Sequence, residues 1–519
     1  MSISLTQALH RSVQQKRDQI ATIFNARKTS FGALSLRVAK LAGALRSLGL
    51  QDSDRVAMLA LNSDRYLEYY LGVFWAGLAV NPCNIRWSAA EVAYSLDDCA
   101  TSVLIVDDTF KAMGADLQSK CSALKTVIYL GDGATPDGML SYEALVSAAD
   151  AIPDRSRGGD ELAGIFYTGG TTGFPKGVML THNNVYASAI AAAADVIVDQ
   201  ATYLHAAPMF HAADFGMSMA QCLRGGSHVF IASFSPAAAL AAIQTERVTH
   251  TLLVPTMVQM VADAPNLDQY DTSSLRTIVY GASPMTEKVL DRAMQAFPNA
   301  GFIQAYGMTE LSPVATLLPA YYHTVDGRKQ GKVRSAGRAA LCSIVKIVDA
   351  DGREVPCGTV GEVAVKGANV MQGYWNKPQE TAAAIRDGWM LTGDGAYLDE
   401  DGFVFIMDRM KDMIISGGEN VYSSEVENAL AQHPAVAMCA VIGIPDEKWG
   451  ELVHAVVVLR PDAQLSSDEL IAHCKQRIAG YKCPRSVVFQ ASLPISGAGK
   501  ILKKDIREPY WRDQKRKVN

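Results

Sequence analysis

A loop rich in glycine and threonine is the first stretch of this chain that could do chemistry. It runs from Thr168 to Lys176 inside IFYTGGTTGFPKGV, between two apolar segments. Glycine amides and threonine hydroxyls can surround an anion, and glycine lets the backbone approach phosphate closely because it has no Cβ. Lys176 would add a positive charge. The stretch therefore predicts a strand, a phosphate-binding loop and a second strand.

Two other interpretations of this loop are weaker. A flexible linker would not be bracketed by apolar segments inside a packed domain. The P-loop of nucleoside triphosphatases requires GxxxxGK followed by Ser or Thr and then by a helix. Here Gly177 and the apolar residues VML follow Lys176, which indicates a strand.

Further segments combine polar residues with glycines or aromatic residues. Taken singly, each has an ordinary explanation: a histidine beside aromatic residues is usually a packed histidine, QAYGMTE could be a turn into a helix, and a lysine is usually a solvated surface charge. Their order along the chain makes them informative as a set. The segments are PMFH (208–211), YGASP (280–284), QAYGMTE (304–310), GEVAVKGANVMQGYWNKPQET (361–381), DGWMLTGD (387–394), DRMKDMIISGGENVYSSEVE (408–427) and LPISGAGKILKKDIRE (493–508).

Together these segments resemble the signatures of the adenylate-forming superfamily, which comprises acyl-CoA synthetases, luciferases and the adenylation domains of peptide synthetases. YTGGTTGFPKGVMLTH (167–182) resembles its phosphate-binding signature, and QAYGMTE matches its YGxTE motif. The resemblance extends from about residue 30 to residue 505. This chain has Gly169 where serine is commoner, a departure that removes one hydroxyl near the phosphates.

The resemblance implies roles for the residues that match the motifs. Lys500 is expected to be the adenylation lysine, and Thr309 to touch the α-phosphate of ATP. Glu310 and Thr172 are expected to hold Mg²⁺, and Asp394 to accept both ribose hydroxyls, which suits a carboxylate. The residues expected around ATP or AMP are Thr168, Gly169, Gly170, Thr171, Thr172, Gly173, Lys176, Gly281, Ala282, Ser283, Gln304, Ala305, Tyr306, Gly307, Met308, Thr309, Asp394, Ile406, Arg409 and Lys500.

The resemblance also implies an acyl pocket, a hinge and a CoA site. His211 joins Lys500, Thr309 and Glu310 in the expected catalytic set and borders the acyl pocket. Lys411 is expected to be the hinge between two domains. The acyl pocket is expected to include His211, Phe215, Gly216, Tyr280 and Gly281. The residues expected to meet CoA are Ser416, Gly417, Gly418, Glu419, Trp449, Tyr481, Lys482 and Arg485.

The implied activity is that of an ATP-dependent carboxylic acid–CoA ligase. A carboxylate and ATP would give an acyl-adenylate and pyrophosphate, and CoA would then give acyl-CoA and AMP. Because the expected pocket residues are mostly small or apolar, medium- or long-chain fatty acids and aryl or phenylpropenoic acids fit equally. Two alternatives stay open: a freestanding adenylating enzyme that loads an acyl carrier protein, and an ATP-binding regulatory protein without chemistry. Lys500, Glu310 and Asp394 argue against the second alternative.

Composition restricts the partners and the compartment. The 519 residues are 49% apolar and 19% charged, with a formal charge of -5, so nothing attracts nucleic acid to the chain as a whole. The nine cysteines form no CxxC pair, which is typical of reduced thiols. The N-terminus lacks the apolar core of a signal peptide, and no apolar run reaches the roughly 18 residues of a membrane span. We expect a cytoplasmic monomer or homodimer.

The elements that must position these residues are predicted to be of the α/β class. Apolar runs at 55–62, 102–108, 126–132, 228–234, 249–255 and 275–282 alternate with helical patterns, which predicts parallel sheets covered by helices. After about residue 335 a period of two and DG turns predict antiparallel strands, and the resemblance implies a distorted β-barrel there.

The last part of the chain is predicted to be a separate α+β unit. Strands are expected at 435–444 and 453–459, and a helix after Ser466, which has Glu469 three residues later as in a capping box. We therefore expect a large N-terminal domain at 1–408, which binds ATP and the acid. A small, mobile C-terminal domain at 409–519 would carry Lys500.

Overall fold

The computed structural model describes residues 3–169, 175–197, 201–283, 285–409, 412–416, 419–446, 448–497 and 499–512, with Arg409 described by its backbone alone. In these ranges the strands form four sheets. Two large, mainly parallel sheets are built from strands before residue 340 and from the short strand Gly373–Tyr374, and two smaller, mainly antiparallel sheets contain the other later strands. The α/β class with a large N-terminal and a small C-terminal domain is thus confirmed.

The nine-stranded sheet carries the candidate nucleotide segments. Its central strands are parallel, and its strands in spatial order are Arg338–Ala339, Val314–Leu318, Gly301–Gly307, Thr277–Gly281, His250–Leu253, Thr202–His205, Ser227–Phe230, Ile20–Phe24 and Arg27–Ser30.

The eight-stranded sheet carries the glycine-threonine loop near one edge. Its strands in spatial order are Gly373–Tyr374, Lys176–Thr181, Leu162–Thr168, Ala79–Pro82, Arg55–Leu59, Val103–Val106, Thr126–Tyr129 and Leu140–Ser141. The predicted strands of both large sheets are present but end earlier than their apolar runs. At Leu253 the reason is local, because Pro255 begins a helix two residues later and cannot donate to a ladder.

Helices surround these sheets. The α-helices are Gln7–Lys16, Phe31–Ser47, Asp64–Trp75, Ala89–Asp98, Lys111–Lys120, Tyr142–Ala148, His182–Asp195, Ala212–Arg224, Pro236–Thr245, Pro255–Ala262, Glu287–Ala296, Val325–Arg328, Pro378–Ala384, Ser423–Ala431, Ser467–Lys475 and Lys503–Trp511. Short 3₁₀ helices are Leu267–Gln269, Thr309–Leu311 and Ala320–His323.

The centre of the large domain is the helix Asp64–Trp75, which is buried on every side. Its apolar and aromatic residues pack into one cluster with residues of both large sheets. Its two acids are paired rather than isolated: Arg27 Nη2 lies 2.9 Å from Asp64 Oδ1, and Arg37 Nε lies 2.6 Å from Glu68 Oε1. Pairing of this kind is what allows carboxylates to be buried.

The two smaller sheets match the predicted change after residue 335. One is the half-barrel, with strands Ser343–Val348, Gly361–Gly367, Trp389–Leu398, Ile385–Arg386 and Val404–Arg409. The other belongs to the C-terminal domain, with strands Glu419–Val421, Ile414–Ser416, Gly450–Leu459, Val436–Asp446 and Ser486–Phe489. The predicted capping box is present, because Ser466 Oγ accepts from Glu469 N at 3.3 Å and Glu469 Oε2 from Ser466 N at 2.9 Å.

Candidate active site

The glycine-threonine loop connects two antiparallel strands, as predicted. Thr168 and Lys176 are the last paired residues before the loop, at the ends of Leu162–Thr168 and Lys176–Thr181. The predicted residues Gly170, Thr171, Thr172 and Gly173 lie outside the described residues. A Cβ on Gly169 would have none of the described atoms within 4 Å, so the described structure leaves room for the commoner serine and does not explain the glycine.

Lys176 and Glu310 are brought together through Tyr374. The Lys176 Nζ lies 4.9 Å from the centroid of the Tyr374 ring, and the Tyr374 hydroxyl donates to Glu310 Oε1 at 2.9 Å. Burial and the neighbouring carboxylate raise the pKa of Tyr374, so its hydroxyl stays protonated and remains a donor. Met371 N also donates to the Glu310 carbonyl oxygen at 2.9 Å, which ties the segment before Tyr374 to the same place.

Sequence reasoning did not identify Tyr374 as a site residue. It lies in the two-residue strand Gly373–Tyr374, which pairs with Val178 and Met179 beyond the glycine-threonine loop. The motif GANVMQGYWNKPQET shows an aromatic residue after glycine, but no local spacing indicates that this segment joins the sheet beside Lys176. This pairing joins residues that lie far apart in the sequence. The tyrosine itself was the only feature of its motif that could have indicated a site residue.

His211 begins the helix Ala212–Arg224 and is held by the loop that precedes it. Its Nδ1 accepts from Ala213 N at 3.2 Å, so it caps the helix. The loop is fixed by Asn62, whose Oδ1 accepts from Met209 N at 2.8 Å, and by the Tyr70 hydroxyl, which donates to the Met209 carbonyl. Burial and the nearby charge of Lys500 lower the pKa of His211 to about 3, so this imidazole is neutral near pH 7.

The predicted adenine and phosphate segments lie on neighbouring parallel strands. Thr277–Gly281 pairs with Gly301–Gly307, and a Cβ on Gly281 would lie 2.1 Å from the Ala305 carbonyl oxygen, so only glycine fits there. The Tyr280 hydroxyl lies 2.8 Å from Nε2 of His323, which ends the 3₁₀ helix Ala320–His323. The other predicted residues of these strand ends are Ala282, Ser283, Gln304, Gly307, Met308 and Thr309.

Asp394 lies where two sheets meet. The Tyr306 hydroxyl, from the nine-stranded sheet, donates to Asp394 Oδ2 at 2.7 Å. Asp394 is also paired with Arg409 in the half-barrel, two positions from the pair formed by Ile406 and Ala396. The structure therefore brings together Tyr306, Asp394 and the backbone of Arg409, which the sequence had placed in three separate motifs.

Lys500 approaches this site from the C-terminal domain. It ends a tight turn in which Ser496 N donates to the Lys500 carbonyl oxygen at 2.7 Å and Lys500 N donates to Ser496 Oγ at 3.0 Å. The turn lies next to the loop before His211, since a Cβ on Gly497 would lie 3.4 Å from Phe210 Cζ. The C-terminal turn that carries Lys500 thus lies against the large domain, and the role of Lys500 in the reaction stays a prediction.

Two residues expected in the acyl pocket have close partners in the core. The Phe215 ring is 1% exposed and its centroid lies 4.9 Å from that of Tyr70 and 4.8 Å from that of Phe166. A Cβ on Gly216 would lie 2.6 Å from Pro313 Cδ, so glycine allows the helix to pack against that proline. Their contact with an acid stays a prediction.

The residues expected at CoA gather on the C-terminal sheet. Ser416 pairs with Gly450, the neighbour of Trp449, and the Arg485 guanidinium stacks 4.0 Å from the Trp449 ring centroid. The Lys482 Nζ lies 2.8 Å from both carboxylate oxygens of Glu425, so its charge is already paired. Glu419 and Tyr481 are exposed, whereas Gly417, Gly418 and the hinge residue Lys411 lie outside the described residues.

Two further findings concern metals and membranes. In the described ranges, no group of three or more His, Cys, Asp or Glu side chains is arranged to hold a metal ion by itself. Among the helices of those ranges, none is both long enough and apolar enough to cross a membrane.

Stability is expected to fall as the solution becomes acidic, because several histidines are held neutral. Burial is the main cause of lowered pKa values at His182, His211, His250 and His323, which fall to about 4, 3, 4 and 4. Below a pH of about 6.5 the unfolded chain binds more protons than the folded one, so stability present above that pH is lost as pH falls towards 4. Each histidine contributes up to about 1.4 kcal/mol per pH unit.

Urea unfolding at pH 5 and pH 7 measures this effect. The free energy of unfolding should be lower at pH 5, and His182→Gln should reduce the difference between the two pH values by about 2 kcal/mol, since one such histidine is removed over about 1.5 pH units. An unchanged difference in that variant would contradict the assignment of His182 as a neutral buried group.

Sequence comparisons match both parts of this chain to a known enzyme family. The sequence profile described as AMP-binding enzyme matches residues 9–375, and that described as AMP-binding enzyme C-terminal domain matches residues 425–500. A feruloyl-CoA synthase of Amycolatopsis sp is 40% identical over 486 residues, which are 93% of this chain and 94% of that protein. A fatty acid–[acyl-carrier-protein] ligase of Streptomyces coeruleorubidus is 34% identical over 504 residues, 96% and 95% of the two chains.

A solved structure shows the same arrangement of both domains. ATP-bound MatB from Rhodopseudomonas palustris superposes with a TM-score of 0.89 at 31% identity, covering 99% of each chain. The resemblance to adenylate-forming enzymes that the motifs indicated is thereby confirmed. From its matched sequence, its fold and the residues that its fold brings together, this chain belongs to the AMP-binding enzyme family.

Proposed function

We propose that the protein is an acyl-CoA synthetase that activates a carboxylic acid with ATP and transfers the acyl group to CoA. The observation that carries this proposal is that the turn of Lys500, from the C-terminal domain, packs against the large domain beside the loop of His211: a Cβ on Gly497 would lie 3.4 Å from Phe210 Cζ. A cation carried by this turn, next to the histidine expected at the acyl pocket, suits a reaction between a carboxylate and a phosphate.

In the first step the carboxylate of the acid attacks the α-phosphorus of ATP, and pyrophosphate leaves. Negative charge develops on the phosphate oxygens, so donors and cations that are already in place stabilise the transition state. We assign this role to Lys500, Thr309 and the loop 168–176. The carboxylate is itself the nucleophile and needs no general base, which is consistent with a His211 that is neutral and titrates far below pH 7.

We propose that Mg²⁺ accompanies ATP and is held by Glu310, together with Thr172, which lies outside the described residues. Glu310 fits such a role because a carboxylate oxygen is a ligand that Mg²⁺ prefers. Its side chain is buried, and its orientation is fixed by the Tyr374 hydroxyl at 2.9 Å. When bound, the ion would neutralise part of the charge of the phosphates.

The second step requires a thiol to reach the carbonyl of the adenylate, which Lys500 obstructs. We propose that the C-terminal domain, from residue 409 onwards, rotates about Lys411 and presents the surface that includes Trp449 and Arg485. The stacked Arg485 guanidinium offers a positive charge for the phosphates of CoA. The nine free cysteines support a reducing compartment, so we propose that the enzyme works in the cytoplasm.

We propose an acid with one carboxylate and an apolar body as the substrate. The expected pocket residues His211, Tyr280 and Gly281 include no cation that could pair with a second carboxylate. The similarity to a feruloyl-CoA synthase favours a phenylpropenoic acid as the first candidate, with a medium- or long-chain fatty acid as the second. The similarity to a carrier-protein ligase keeps an acyl carrier protein as the alternative acceptor.

Acid-dependent pyrophosphate release tests the proposal. Purified enzyme is incubated with ATP, Mg²⁺ and ferulic, cinnamic, benzoic or fatty acids, and AMP and the thioester are measured after CoA is added. Formation of acyl-CoA and AMP from any of these acids supports the ligase. Consumption of the adenylate by an acyl carrier protein but not by CoA would favour the alternative, and absence of any acid-dependent exchange would leave an ATP-binding protein without this chemistry.

Asp394→Ala should weaken ATP binding. The carboxylate would no longer accept the ribose hydroxyls, and a hydrogen bond to a charged group contributes about 1.5–3 kcal/mol, so we expect the KM for ATP to rise about tenfold to a hundredfold. Tyr306→Phe removes the neutral donor to Asp394 and should have a smaller effect on the same parameter. A normal KM for ATP in the Asp394 variant would contradict the ribose assignment.

A further inference from the structure

The turn that carries Lys500 rests in a socket of the large domain. Two large-domain side chains donate to carbonyl oxygens of this turn: Arg86 Nη1 to Ile495 at 3.2 Å and Thr256 Oγ1 to Gly499 at 3.2 Å. The two acceptor residues, Ile495 and Gly499, lie before and after Gly497 in the sequence, so the turn is held at two points. Ala498 lies outside the described residues.

The fit of the turn depends on its glycines. A Cβ on Gly497 would lie 2.8 Å from Asn84 Oδ1 and 3.4 Å from Phe210 Cζ. Asn84 cannot move aside freely, because its Oδ1 accepts from Arg86 N at 3.0 Å. At Gly499 the φ angle is +78°, and a Cβ would lie 2.6 Å from Val254 Cγ2. Glycine at both positions therefore allows the turn to enter the socket.

Hydrogen bonds within the turn hold its shape. Gly499 N donates to the Ser496 carbonyl oxygen at 2.9 Å, and the bridge between Ile495 and Ile501 closes its base. Undocking would thus break the contacts with the socket but not the bonds inside the turn. The bonds that Arg86 and Thr256 donate to the turn end on its backbone oxygens, which suits a contact that forms and separates in each catalytic cycle.

We propose that Arg86 and Thr256 are positioning residues that hold Lys500 in place for the first half-reaction only. The proposal rests on the proposed function, since it assigns these residues to acyl-adenylate formation. Both side chains bind backbone oxygens of the turn, so they fix the position of Lys500 without touching ATP or the acid. Neither contact is needed once the C-terminal domain has rotated for thioester formation.

The two half-reactions, measured separately, test this assignment. Arg86→Ala and Thr256→Val should each lower the kcat of acid-dependent ATP–pyrophosphate exchange by about twofold to tenfold, the usual effect of one lost hydrogen bond. Thioester formation from supplied acyl-adenylate and CoA should stay at the wild-type rate or rise. Equal loss in both half-reactions, or no loss in the first, would overturn the proposal.

Two matched variants control for general effects of these substitutions. Arg276 also donates from Nη1 to a backbone carbonyl, that of Ser273 at 3.0 Å, and Thr245 Oγ1 donates to the Ala241 carbonyl at 2.8 Å. Arg276→Ala and Thr245→Val should leave both half-reactions unchanged. The fit of the turn into the socket is tested by Gly497→Val, which should impair the first half-reaction. Gly480→Val is its control and should not impair it, because a Cβ on Gly480 would meet no described atom within 4 Å.

A disulfide cross-link between the turn and the socket measures docking and does not depend on enzyme activity. A Cβ at position 497 would be obstructed by Asn84 Oδ1 at 2.8 Å, and Asn84→Cys removes that oxygen, so the variant Asn84→Cys/Gly497→Cys suits a disulfide. It is made in a Cys357→Ser background because Cys357 is exposed. Oxidation without substrates should form the cross-link, and adding Thr256→Val should slow it. No cross-link, or a rate unaffected by Thr256→Val, would overturn the docking claim even if the wild-type enzyme proved inactive with every acid tested.

Discussion

Lys500→Ala should abolish most acyl-adenylate formation while sparing the second half-reaction. Loss of one well-aligned cation or donor at a site of developing negative charge typically costs about 10²–10³ in rate, so acid-dependent ATP–pyrophosphate exchange should fall by that factor. Thioester formation from supplied acyl-adenylate and CoA should continue at nearly the wild-type rate, because Lys500 must leave the site before the thiol enters. Both half-reactions can be followed by rapid quench.

Lys504→Ala is the matched control for this substitution. Lys504 lies four residues further along and is exposed on the helix Lys503–Trp511. Removing its charge should leave both half-reactions unchanged. Equal losses of the two half-reactions in the Lys500 variant would remove the assigned role, since they would indicate a damaged fold or a lysine used throughout the cycle.

Lys411→Pro should have the opposite effect. Proline fixes φ near -65° and removes a backbone donor, so a hinge at this residue could no longer rotate. We expect pyrophosphate exchange to persist and thioester formation to fall by about 10²-fold, the cost of misplacing reacting groups by about 1 Å. The bonds that Ser423 N and Oγ donate to Asp408, at 2.7 and 2.5 Å, span the proposed domain boundary and would have to adjust during rotation.

Lys411→Ala distinguishes the effect of the hinge backbone from the effect of the lysine side chain. Alanine removes the amine but leaves the dihedral angles free, so this variant should retain most of the second half-reaction. If alanine and proline impaired thioester formation equally, the lysine side chain rather than a backbone pivot would be responsible. If neither variant changed that step, the hinge would have to lie elsewhere.

Local structure was predicted correctly from the sequence where neighbouring residues determine it. The run from Thr168 to Lys176 predicted a loop between two strands, because apolar flanks favour pairing and glycines favour the turn, and the structure has that hairpin. Ser466 and Glu469 predicted a capped helix for an equally local reason, since both hydrogen bonds lie within one turn. The order of the motifs along the chain was enough to indicate the family.

Contacts between side chains that lie far apart in the sequence were revealed only by the tertiary structure. Tyr374 reaches Glu310 because a two-residue strand joins the sheet beside Lys176, and nothing in its own segment predicts that pairing. Lys482 pairs with Glu425, which lies 57 positions earlier in the sequence, and its expected contact with CoA stays a prediction. The spacing of residues along one strand or helix follows from backbone geometry, whereas contacts between elements depend on sheet order and domain docking. The sequence alone thus indicated the chemistry proposed for this chain, and the fold determined which side chains contact Glu310 and the turn of Lys500.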